Sequence, residues 1–135
     1  VLDMLKHMYD TWKNFSPHTI WECYSPNKPE PAHTPDGIKL VRPDFCGWSA
    51  LMPIAGLIEN AIGLYEANAF TNTLRWHLSA EAKGKTGCRN YRFGEVVADL
   101  IAENGVCSYT SNREFNLEIN GTMHRVPAGS GSFRI

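Results

Sequence analysis

The sequence predicts an α+β chain, with helices first and a small antiparallel sheet or sandwich after them. Three observations carry this. Apolar residues near the N-terminus recur at helical spacing, and a second apolar stretch runs from Trp48 to Leu64. After Leu64 the period changes to two, with glycines between the short runs. The 135 residues accordingly divide into two regimes, 1–64 and 65–135.

In the first regime, Val1, Leu5, Met8, Trp12 and Phe15 line one face of a helix. Ser16-Pro17 ends it, because the residue before proline is pushed out of the α region. Residues 16–46 form a loop that holds six of the eight prolines, at 17, 26, 29, 31, 35 and 43. Structureless loops beyond ~12–15 residues are usually functional or disordered. This one carries Trp21, Tyr24 and Phe45, which a solvated linker does not need, so an ordered, functional loop is expected. The stretch from Trp48 to Leu64 is apolar nearly all round, the pattern of a helix buried inside something larger. Ser49 is its expected N-cap and Gly63 its expected terminator.

In the second regime the expected strands are 73–78, 95–101, 106–110, 115–119, 123–126 and 132–135. Asn120-Gly121 is the strongest hairpin signal, since both positions of a type I′ turn need positive φ.

Thirteen Lys and Arg against fourteen Asp and Glu give a formal charge of −1. That balance argues against nucleic acid, which calls for a basic surplus on one face. No run approaches the ~18 apolar residues of a spanning helix, so no membrane partner is expected. The chain opens on Val with no signal-like segment and reads as a processed product or an excised piece. No address for the parent protein is written in it; the cytoplasm is favoured. Cys23, Cys46, Cys88 and Cys107 contain no C-x-x-C pair, so free thiols are expected rather than a disulfide or zinc framework. His33, His77 and His124 lack ligand spacing, and neither a metal nor any other cofactor is expected.

The most loaded cluster is Pro17-His18-Thr19-Ile20-Trp21-Glu22-Cys23-Tyr24-Ser25-Pro26, followed by Asp44-Phe45-Cys46-Gly47-Trp48-Ser49-Ala50. A carboxylate between aromatics suits a sugar site, where rings stack on pyranose faces and the carboxylate moves a proton or accepts from hydroxyls. The plainer alternative is an aromatic loop that plugs a core, with Glu22 at its rim. His18 either orients a hydroxyl or, more simply, is satisfied by backbone.

These two segments resemble the C-terminal end of the (α/α)6-barrel glycosidases. The nearest group is the mannosylglycerate-hydrolase-like and processing α-glucosidase enzymes, glycoside hydrolase family 63, with trehalases more distant. The family pattern is Glu-x-Tyr, a short Pro/Gly-rich loop, then Phe-x-Trp-Ser/Thr-Ala opening the last barrel helix. The resemblance covers about residues 1–64; residues 65–135 are similar to a β-rich appendage that follows the barrel in some members. It implies that 1–64 holds the last helices of a toroid, and that the parent is an inverting hydrolase of α-linked glucosides or similar sugars. Glu22 aligns with the general base, and Trp21, Tyr24 and Trp48 with groups that stack on or position the sugar. The family's general acid is an Asp far upstream with no counterpart here; Glu30, Asp36, Asp44 and Glu59 do not align with it. Cys23 stands where Asn or Lys is usual, and Cys46-Gly47 lengthens the Phe-to-Trp spacing by one residue.

A competing reading is a non-catalytic β-rich module for carbohydrate binding or oligomerisation. Under either, two apolar helices need partners for their faces, and a second copy of the chain is the expected one. Sedimentation equilibrium is expected to show a dimer or larger assembly; a clean monomer would contradict that expectation.

Overall fold

The computed structural model describes residues 1–37, 45–80 and 84–135, and these divide into two compact units, Val1–Ala61 and Ile62–Ile135. Pro43 and Asp44 lie outside the described residues.

In the first unit, helix α1 runs Leu2–Asn14 and helix α2 runs Gly47–Ala55. The chain then continues from α2 as a π-helical segment, Gly56–Ile62. Gly56 makes room for α1, since a Cβ there would lie 3.2 Å from a Leu5 methyl and 3.3 Å from one of Val1. The core is small: Thr11, Trp21, Cys46 and Ala50 are buried, and the Thr11 hydroxyl donates to the His7 carbonyl at 2.9 Å.

The expected last helices of a toroid are not there. The described chain has two α-helices and eight strands in two sheets, which makes it a small β-rich domain. The Trp48–Leu64 stretch is not one buried helix: α2 lasts nine residues, the winding widens from Gly56, and the chain enters a strand at Leu64. Its apolar residues are also not enclosed, because Trp48, Leu51, Ile54 and Leu57 are all more than half exposed. Unbroken apolar composition is shared by buried helices and exposed apolar surface, and periodicity cannot separate the two. No described helix is long and apolar enough to cross a membrane.

The second unit contains the strands β1 (Leu64–Asn68), β2 (Thr73–Trp76), β3 (Thr86–Phe93), β4 (Val96–Glu103), β5 (Val106–Ser111), β6 (Phe115–Ile119), β7 (Thr122–Val126) and β8 (Gly129–Arg134). One sheet is ordered β1-β2-β6-β7 and the other β3-β4-β5-β8. Alternation decides what is buried: Val96, Ala98, Leu100 and Ala102 of β4 point inward, as do Phe115, Leu117 and Ile119 of β6. Phe93 meets Phe115 edge-on at 5.5 Å, and His124 stacks on Phe133 at 4.3 Å, so the two sheets pack face to face. Trp76 is fully buried and its indole N–H donates to the Ile62 carbonyl at 2.8 Å. On the outer face Arg75 bridges Glu66 at 2.6 Å and Glu118 at 3.0 Å, one partner on each neighbouring strand.

The Asn120-Gly121 hairpin joins β6 to β7 with Ile119 opposite Thr122, and both turn residues have positive φ. Asn104-Gly105 does the same between β4 and β5. Three features differ from expectation, the first being that the chain already forms a strand, β1, at Leu64–Asn68, where none was expected. β2 and β6 pair in parallel, so the sheet is not wholly antiparallel. The polar run Thr86–Phe93 is a full strand, irregular between Cys88 and Tyr91, and it pairs with β4.

Gly87 has φ +149°, and a Cβ there would come within 2.0 Å of the Leu100 carbonyl oxygen. Both the backbone conformation and the space exclude a side chain. Gly87→Ala is therefore expected to cost at least ~2 kcal/mol, read as a lower urea midpoint at unchanged slope. A shift within ~0.5 kcal/mol would contradict the tight β3–β4 approach.

Candidate functional site

The site is built from the described part of the proline-rich loop and the start of α2. The loop folds back on itself: the Ser25 N–H donates to the Glu30 carbonyl at 2.9 Å, and the Ala32 N–H to the Cys23 carbonyl at 3.2 Å. Tyr24 and Pro31 form an isolated bridge between these bonds. Prolines at 26, 29 and 31 pre-set φ through this reversal, which lowers the entropy lost in ordering it.

Two further bonds fasten the loop to the second motif segment. The Cys46 N–H donates to the Ile20 carbonyl at 3.0 Å, and the Ser49 hydroxyl donates to the Glu22 carbonyl at 2.8 Å. Ser49 was expected to cap α2, but the cap position is Cys46, and the Ser49 hydroxyl instead reaches across 27 residues. It also lies 3.6 Å from the Cys46 sulfur. A serine in the first helical turn signals a cap from local sequence alone; the long-range partner leaves no such signal.

Glu22 is half-buried, and its carboxylate makes no ion pair or hydrogen bond with another described residue. Trp21 is fully buried and presents no ring face to solvent. Its backbone N–H donates to the Tyr24 hydroxyl at 3.1 Å, which ties the residues on either side of Glu22 together. Burial raises the Tyr24 hydroxyl pKa above its ordinary value, against the opposing effect of the Trp21 N–H. Trp48, by contrast, is 68% exposed. The structure thus joins Trp21, Glu22 and Tyr24 to Ser49, and leaves the Trp48 ring open to solvent.

A cavity of about 530 Å3 lies beside this clasp, lined by Met4, His7 and Met8 of α1, Tyr24 and Ser25 of the loop, and Ser49 and Met52 of α2. Glu22 does not line it. The His7 Nε2 is buried without a partner among the described residues. His7 was not singled out from the sequence, where it sits on the helix without a motif. The His18 Nδ1–H donates to the Trp12 carbonyl at 2.7 Å, which is the plainer of its two readings. All four cysteines are free, and no group of three or more His, Cys, Asp or Glu among the described residues could hold a metal ion.

Comparison of the chain with family models, with curated proteins and with solved structures found no match.

The clasp can be tested through Cys46, which is buried beside Ser49. Ser49→Ala removes a hydrogen bond of order ~1 kcal/mol, so Cys46 is expected to alkylate about five- to tenfold faster. Cys107 in the other unit is the internal control, because burial pushes its thiol up to about 11 and keeps it protonated. An unchanged Cys46 rate would show that Ser49 does not hold the loop.

Proposed function

We propose that this chain carries the base-bearing segment of an inverting glycoside hydrolase acting on α-linked glucosides or similar sugars. Glu22 is the general base, and the general acid belongs to a residue outside this chain. The observation that carries the reading is the clasp: Ser49 fixes the Glu22 backbone while its carboxylate stays uncommitted to any described cation or donor. A general base needs both properties, a fixed position and a free lone pair.

In this reading the carboxylate takes a proton from a water that attacks the anomeric carbon opposite the leaving group. The acid then stands roughly 6.5–9.5 Å away, which leaves room for that water. Tyr24 and the exposed Trp48 offer ring surface to the sugar, and buried Trp21 anchors the loop between them. The chain by itself is then catalytically silent, because one of the two carboxyl groups is missing.

In the full-length parent, Glu22→Gln is expected to lower turnover of an α-glucoside by at least the ~10²–10⁴ of a general base. Loss of turnover in Glu22→Ala, with an inverted glycosyl azide formed when azide is added, supports the same role where the unaltered enzyme also releases the inverted anomer, which a retaining nucleophile would not. Near-normal turnover of Glu22→Gln would overturn it.

A further inference from the structure

The second unit has a cavity of its own, about 520 Å3, at one end of the sandwich. That volume falls within the ~300–1,000 Å3 of small-molecule sites. Leu78 and Ile119 contribute apolar surface to it, and Glu103, Asn104, His124 and Arg134 contribute polar groups. None of these four polar side chains has a hydrogen bond or ion pair with another described residue. Arg75, Arg113 and Arg125 are each paired with a glutamate, whereas Arg134, like Arg89 and Arg92, pairs with no described residue and keeps its guanidinium open to a ligand at the cavity.

The donor and acceptor set decides the ligand class. An anion calls for donors only, as from Arg with backbone N–H groups; a cation calls for acceptors only. This cavity mixes them: Arg134 donates, Glu103 accepts, and Asn104 and His124 can do both. One guanidinium and one carboxylate also leave no net charge from these two to favour either ion. A sugar hydroxyl donates and accepts at once, and its ring offers C–H faces to apolar surface. The His124 ring is already held, stacked on Phe133 at 4.3 Å and 20°, so little of its freedom is lost on binding. Asn104, which has positive φ and with Gly105 forms the turn after β4, stands at the cavity edge.

We propose that this cavity is a binding site for a neutral carbohydrate, with Glu103, Asn104, His124 and Arg134 bonding its hydroxyls and Leu78 and Ile119 meeting its C–H faces. It is independent of Glu22 and of the hydrolytic reading.

The test is an amide and imidazole NMR titration of the full chain with maltotriose, cellotriose and mannotriose, and with glucuronate and glucose 6-phosphate as charged probes. At least one neutral trisaccharide is expected to give saturable shifts at Asn104, Thr122 and His124 by about 10 mM, a weak but specific affinity. Arg134→Gln and His124→Ala are each expected to weaken it at least fivefold, and Glu22→Gln to leave it unchanged. Arg134 is exposed, so its variant reads the site even if His124→Ala disturbs the fold. Three results would overturn the proposal: no shifts from any trisaccharide, binding of the charged probes alone, or shifts that Arg134→Gln does not weaken.

Discussion

Two hydrogen bonds between residues far apart in sequence hold the candidate site: Cys46 N–H to the Ile20 carbonyl, and the Ser49 hydroxyl to the Glu22 carbonyl. A loop of this length gains little from local bonds, and the entropy of closing it must be offset where its ends meet. The proline-set reversal at 23–32 shortens what has to be closed, and the buried Trp21 gives the closure an apolar anchor. Glu22 is then presented on a fixed backbone with its carboxylate free. The Ser49 bond fastens the Glu22 backbone itself, beside the bonds and the burial that hold its neighbours.

Much of the second unit was legible in the sequence. The alternation at 96–102 and 115–119 encodes two buried faces, and Asn-Gly at 104–105 and 120–121 encodes two tight turns. What stayed hidden has a physical reason in each case. The β2–β6 pairing is parallel and joins segments more than forty residues apart, and no local pattern records a parallel partner. β3 is polar and irregular, and its close approach to Leu100 at Gly87 depends on a residue with no side chain, which no hydrophobic pattern marks.

The first unit was less legible. Its opening helix follows the 3.6-residue pattern closely, and α1 lies where that pattern put it. The apolar stretch after Gly47 misled, because composition alone does not say where a helix stops or whether its surface is covered. The same limit applies to the site. Glu22 and its aromatic neighbours stand out as residue types, but the exposure of Trp48, the burial of Trp21 and the reach of Ser49 are tertiary facts. The resemblance to barrel glycosidases rests on the two short motifs; the toroid it implied is absent, and the juxtaposition of those motifs is what remains of it.

The proposal that Glu22 is the base of an inverting displacement is tested most directly by the stereochemistry of the product. Proton NMR of α-glucoside hydrolysis by the full-length parent, read before mutarotation, is predicted to show the β-anomer forming first. The α-anomer as first product would contradict the account, because a base that activates water on the opposite face cannot yield it.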